Sequence, residues 1–372
     1  MEPPASPASA APTGAVYFYC HPPGPPDNAV YQHELVCLAE GLRQLGVPVF
    51  ANLDYWRRSA RDPQYLLPHD PAVGPDDCRI VVLSHHWLLR GRPLPERLFH
   101  PGRAYCTVYV DLRDGPDDFL GGPPFDRFDL ILRAQMNGAK TYPANVRAWA
   151  FGLSERMLAA TEPIGPFAER RRVLLVNHRH EHPVRHAARR RILPALGRVL
   201  PLDDTVTPLD DAPAGAEERL QWAQTGRRHH PAYYERLRLS AGCACFGGYF
   251  LSPPLPEGAG WRERALARWR AVCGRDAPGV AQWDSWRFWE ALSAGCVAFH
   301  LDFERYGMRA PVPPQNWTHY VGIDLRRVGE AVERLRDDPA LLPRISAAGR
   351  AWAREHYGPA ALARRLLAAV AG

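Results

Sequence analysis

Short apolar runs that each end in polar residues, separated by amphipathic helical stretches, constrain this chain more than any other feature. Ala15-Val16-Tyr17-Phe18-Tyr19-Cys20 has the apolar, aromatic character of a buried strand. His21 to Asn28 is a Pro/Gly/Asn turn-forming loop. Leu35, Leu38, Ala39, Leu42 and Leu45 then fall on one helical face, with Gly46 as the stop, and Val47 to Ala51 reads as the next strand. A strand–loop–helix–strand unit of this kind starts a parallel sheet. Further strands are expected at 80–84, 105–110 and 130–132. They end in Ser84-His85-His86, Asp111-Leu112-Arg113-Asp114 and Arg133-Ala134-Gln135. Ligands of open parallel sheets bind at the carboxyl ends of strands, so these polar ends are where chemistry is sought first.

The same grammar restarts after a hinge-like Thr161-Glu162-Pro163-Ile164-Gly165-Pro166. Strands are expected at 173–177, 243–246, 297–301 and 320–324, with helices at 233–239, 287–294, 326–336 and 341–356. Tyr357-Gly358-Pro359 breaks the pattern before a last helix at 360–369. A chain of 372 residues is long enough for two cores. The expected class is therefore α/β, with two doubly wound, Rossmann-like domains facing a central cleft. The expected divisions are a Pro/Ala/Ser-rich disordered tail (1–13), a first domain (14–163), a second domain (168–350) and C-terminal helices (351–372).

Composition excludes several classes. Hydrophobic residues make up 46% and charged residues 23%, as in ordinary globular proteins, and no apolar run is long enough to span a membrane. The N-terminus has neither a basic start nor an apolar core, so no signal peptide is expected. Net charge is +6, and since Lys140 is the sole lysine the basicity is arginine, which suits phosphate recognition. The arginines are scattered, without the basic, aromatic-interleaved stripe that single-stranded nucleic acid requires, so no nucleic-acid partner is expected. Eight cysteines show no disulfide framework and no zinc spacing. The expected location is the reducing cytoplasm.

The richest chemical signal is Trp283-Asp284-Ser285-Trp286-Arg287-Phe288-Trp289-Glu290-Ala291-Leu292-Ser293-Ala294-Gly295-Cys296-Val297. Asp284 or Ser285 is placed to cap a short helix whose first-turn N–H groups then face an anion. Arg287 is placed to bond a diphosphate, and Glu290 to accept from ribose hydroxyls. The spelling Arg-x-x-Glu-Ala-Leu-x-x-Gly-Cys-Val resembles the nucleotide-sugar segment of two-domain, GT-B-type glycosyltransferases of the group 1 or family 4-like kind. There is a more distant likeness to exostosin-type transferases. Asp337 to Leu342, Gly349 to Ala353 and His356-Tyr357 resemble the C-terminal helices of that family. The resemblance implies a final helix that crosses back to the first domain. It also implies a glutamate eight residues before Glu290, but this chain has Gln282 there. The implied substrates are a nucleotide-sugar (UDP-, GDP- or dTDP-linked) and an unidentified acceptor, with no tightly bound cofactor and no DxD-held metal.

The other candidates lie at strand ends. Asn177, Arg179 and Arg185 follow the first strand of the second domain, where the resemblance implies a view of the donor phosphates. His178, His180 and His182 alternate as metal ligands on a strand can, but no carboxylate or Cys with matching spacing joins them, so no metal site is expected. Gly247 and Gly248 would let the backbone approach a ligand closely, and the resemblance implies a backbone amide or an aromatic, here Tyr249, near the nucleobase. In the first domain His21, beside Gly24, and His86, beside His85, are candidates for the base that takes an acceptor proton, as are Asp111 and Asp114. Two rival readings are a GT-B relative without transfer, such as a sugar-nucleotide epimerase or a binding protein, and a metal hydrolase built on His178, His180 and His182.

Overall fold

The computed structural model describes residues 14–115, 120–177, 182–204, 211–252, 258, 260–272 and 277–371. The tail at 1–13 lies outside the described residues. Two parallel sheets organise the chain, and both are doubly wound. The first has six strands, in the spatial order Val49–Ala51, Val16–Tyr19, Ile80–Ser84, Cys106–Asp111, Leu130–Arg133 and Val146–Ala148. The second has five: Leu202–Asp203, Arg171–Leu175, Ser240–Ala244, Val297–Leu301 and Val321–Ile323. All pairings within the two sheets are parallel. In each sheet the strand order reverses beside the first strand, which creates a crevice at the carboxyl end. His85 and His86 border that crevice in the first sheet, and Asn177 and Gly247 border it in the second.

One strand differs from the sequence reading. It runs over Ser240–Ala244 rather than 243–246, although Cys245 N–H still donates to Phe299 O at 2.8 Å. Ser240, Ala241 and Gly242 look too small for a core strand. Their size makes room for a neighbour, because a Cβ on Gly242 would sit 2.7 Å from the Phe299 ring. The helices Ala216–Gln224 and Trp261–Val272, and the ribbon of Tyr55–Arg57 with Tyr65–Leu67, were not foreseen. Trp261–Val272 mixes Trp and Arg without an apolar stripe, and three-residue strands are too short for periodicity to register.

The helix His33–Gln44 is buried over ten consecutive residues, because it has the sheet on one side and the final helix, Pro359–Ala371, on the other. Their backbones touch at Gly41, where a Cβ would lie 1.9 Å from Pro359 O. The two sheets also meet through their carboxyl-end loops. Gly115 N–H donates to Gln282 Oε1 (3.0 Å), Phe151 N–H to Asp284 Oδ2 (2.8 Å), and Trp283 Nε1–H to Met136 O (3.1 Å). Asn137 Nδ2 bonds both Val280 O and Tyr306 O, at 3.0 and 2.8 Å. Among the described residues every cysteine is free, and no helix is long and apolar enough to cross a membrane.

Candidate functional site

The helix expected around Glu290 spans Trp286–Ser293, with Ser285 as its extended N-cap residue. The capping expectation is corrected, because the Ser285 side chain makes no cap hydrogen bond. Asp284 is also engaged elsewhere: one oxygen accepts Phe151 N–H and the other accepts Trp289 Nε1–H at 2.6 Å. Burial, opposed by these N–H groups, pushes the Asp284 carboxyl up to about 7. The first turn therefore has no side-chain cap from Ser285, and its end carries the positive pole of the helix dipole.

One turn further on, Glu290 is buried. Its Oε1 accepts Tyr234 Oη–H at 2.8 Å and is paired with His229 Nδ1. Arg156, from the first sheet's last helix Glu155–Ala160, donates to Tyr234 Oη at 3.1 Å. Burial would raise the Glu290 carboxyl, but His229, Tyr234 and Arg156 outweigh it and bring it down to about 2. No hydrogen bond to Glu290 Oε2 occurs among the described residues.

Around this helix lie buried donors without an acceptor among the described residues: Tyr233 Oη, Trp286 Nε1, Arg287 Nε, and Arg156 Nε and Nη2. His229 Nε2 is also unpartnered. Trp286 packs edge-on against Phe151 and His229, with ring centroids 5.6 and 5.0 Å away. An unmade buried hydrogen bond costs about 1–3 kcal/mol, so donors left without a partner around this helix favour an acceptor-rich group beside it.

Arg179, His178 and His180 lie outside the described residues. Asn177 is half-buried directly after its strand. Arg185, on the short helix Pro183–Ala187, donates from Nε to Phe246 O at 3.1 Å, and His182 Nδ1 accepts Gly248 N–H at 3.0 Å. A Cβ on Gly247 would stand 3.8 Å from Arg185 and 3.9 Å from His182. Tyr249 packs on the His182 ring at 5.3 Å. Gly248 has φ +98°, and a Cβ there would lie 2.1 Å from Ala281 O, so the turn needs glycine. The structure thus brings Arg185, Gly247, Gly248 and Tyr249 together.

In the first sheet, Asp111 is fully buried. It accepts from Arg113 Nε and Nη2 at 2.9 and 3.0 Å, and Arg133 Nη1 lies 3.2 Å away. Burial opposes ionisation, but Arg133 and Arg113 hold the carboxyl below its usual range. These contacts fit Asp111 to anchoring two arginines, not to taking a proton. Asp114 is exposed, with Gln135 Nε2 at 3.5 Å. His21 is half-buried, its Nδ1 2.8 Å from Pro22 O. His85 and His86 converge on Glu34 Oε1, at 3.2 and 3.4 Å. Sequence reasoning missed Glu34, Arg156, His229, Tyr233 and Tyr234. The one local signal was the His229-His230 pair inside a basic loop ahead of a helix.

No protein-family model matches the chain, and no curated protein matches it. Among solved structures, it is similar to an alpha-glucosyltransferase in complex with UDP, at 8% identity, covering 97% of this chain and 100% of that one, TM-score 0.49. It is also similar to AviGT4, a glycosyltransferase involved in Avilamycin A biosynthesis, at 14% identity, 97% coverage of each chain and TM-score 0.49. A glycosyltransferase from Rickettsia africae ESF-5 aligns at 8% identity over 96% of this chain and 97% of its own, TM-score 0.43. At these scores the likeness assigns no residue, substrate or partner to this chain.

Proposed function

We propose that the protein transfers a sugar from a nucleotide-sugar donor to an acceptor in the crevice between its two sheets. The observation that carries this reading is the set of buried donors without a partner around the Trp286–Ser293 helix: Trp286 and Arg287 in its first turn, and Tyr233 and Arg156 on residues packed against it. There a diphosphate would meet the helix dipole and the Arg287 guanidinium. Charge that develops on the leaving diphosphate would be stabilised by fixed donors, without a metal at that position. Glu290, with Oε1 already committed to Tyr234 and His229, offers Oε2 to a ribose hydroxyl. Arg185, Gly247, Gly248 and Tyr249 line the donor side. His21 and Asp114, at the carboxyl ends of the first sheet, face the acceptor side as candidate bases.

The test is a thermal-shift screen of the full chain against UDP, GDP, dTDP and their sugars, repeated with Arg287→Ala. A ligand that binds only the native state raises the melting temperature by mass action. One nucleotide series should stabilise the protein, and the variant should lose that response. If no nucleotide shifts the melting temperature at millimolar concentration, the reading is wrong.

A further inference from the structure

We infer that Glu34, His85 and His86 form a binding site for one divalent transition-metal ion of the zinc class. Glu34 lies in the first turn of the helix His33–Gln44. The two histidines follow the strand Ile80–Ser84, at the crevice where the first sheet reverses its strand order. His85 and His86 are adjacent, but Glu34 stands about fifty residues earlier, so no local spacing brings the carboxylate to the pair.

Each contributes one ligand atom, and these atoms lie within 4.8 Å of one another. Glu34 Oε1 is 3.2 Å from His85 Nδ1 and 3.4 Å from His86 Nδ1. A tetrahedral zinc ion with bonds of ~2.0–2.1 Å holds its ligand atoms about 3.4 Å apart. Leu112 N–H points at His85 Nδ1 from 3.4 Å. That nitrogen is therefore unprotonated, with its lone pair on a long backbone contact that a cation would have to displace, and the carboxylate oxygen lies beside it. Two electron-rich atoms at this separation are what an edge of a coordination shell looks like.

The charge balance points the same way. The Glu34 side chain is 1% exposed, and its ion-pair partners among the described residues are the two imidazoles. Glu34 Oε2 is buried without any hydrogen-bond partner. A cation at the cluster would compensate the carboxylate and engage that oxygen. Two nitrogen ligands with one oxygen suit zinc-class ions and disfavour calcium and magnesium, which prefer all-oxygen shells. The Ser84 hydroxyl donates to Glu34 Oε1, the oxygen nearest the two imidazoles, and so fixes the orientation of the carboxylate. The His86 side chain is 20% exposed, so solvent reaches the cluster on that side and could supply the ligand that a three-residue site lacks.

The experiment uses the full chain freed of metal and titrated with cobalt(II), whose visible d–d bands report low-symmetry nitrogen/oxygen ligation. Zinc(II) binding is followed in parallel by calorimetry. The expected result is one equivalent bound with micromolar or tighter affinity. Binding should weaken at least tenfold in Glu34→Gln and His86→Ala, and stay unchanged in His182→Ala. Folding of each variant is checked by circular dichroism. His86 is the partly exposed ligand, so its replacement is the variant that tests the site if Glu34→Gln fails to fold. The inference is overturned if the wild-type chain binds neither ion, if a folded His86→Ala retains full affinity, or if the loss falls on His182→Ala. None of these readouts depends on sugar transfer.

Discussion

Asp284 offers the most quantitative test of how the seam between the sheets works. Its carboxyl is buried, bonded to Phe151 N–H and Trp289 Nε1–H, and pushed up from an ordinary 3.8 to about 7. Below pH ~4 the group is neutral in both the folded and unfolded chain and contributes nothing to pH dependence. As pH rises from there to 7, the unfolded chain releases the proton and the folded one holds it, so stability falls. At ~1.36 kcal/mol per pH unit, the loss between pH 4 and pH 8 comes to about 4 kcal/mol. Asp284→Asn imitates the neutral form and removes this slope, at the cost of one of the two accepted hydrogen bonds, about 1 kcal/mol. The assay is chemical denaturation of wild type and variant side by side at pH 4.5, 6 and 8. The difference between them cancels every other titrating group. The variant should be about as stable as wild type at pH 4.5, where the two ~1 kcal/mol effects offset, and the stronger by a few kcal/mol at pH 8. The proposed diphosphate position adds a second readout: wild-type nucleotide affinity should fall as pH passes 7, because an ionised Asp284 would repel the anion, and the variant should not show that fall. A stability difference that stays constant from pH 4.5 to pH 8 would refute the reasoning, since it would mean that the buried carboxyl is ionised throughout.

Other outcomes follow from the same geometry. Arg287→Ala should weaken nucleotide-sugar binding by roughly 10–100-fold in calorimetry, the value of a lost charge-assisted bond of about 1.5–3 kcal/mol, and unchanged affinity would remove Arg287 from the site. Gly248→Ala should destabilise the fold by more than ~2 kcal/mol, because the new methyl meets Ala281 O at 2.1 Å in a left-handed turn; a melting temperature within a degree of wild type would show that the turn relaxes. Nucleotide-sugar affinity should be the same with and without EDTA, since the proposed metal position lies by the first sheet and the diphosphate position by the second. A chelator-sensitive affinity would place a metal at the diphosphate.

Much of this architecture is written in local pattern. The runs at Val16–Tyr19, Ile80–Ser84 and Val297–Leu301 are apolar enough to be read as strands, and their polar successors mark the crevice. Glu290 stands out as an acid on a helix otherwise built to be buried. What the pattern cannot hold is long-range pairing. Asp284 reads as a cap until Phe151, brought over from the other sheet, supplies a better donor. Asp111 reads as a base until Arg133, on the neighbouring strand, is seen to claim it. Glu34 carries no local signal at all, and its meeting with two histidines depends on which strand lies beside the helix. Small-residue strands fail for a different reason: Ser240-Ala241-Gly242 is chosen for the space it leaves to Phe299, and pattern reading weighs what a residue fills.

The clasp between the helices His33–Gln44 and Pro359–Ala371 has a consequence for biosynthesis. The first sheet and its flanking helices are complete in the chain by about residue 160, but the helix that covers His33–Gln44 emerges roughly 200 residues later. At ~5–20 residues per second that is a wait of about 10–40 s. Throughout it, the face of the early helix around Gly41, shaped to lie directly on Pro359 and Ala363, has no cover. The first sheet is thus born with an open seam that closes only after residues 359–371 have been made, and a ribosome stalled before them would present that seam to chaperones.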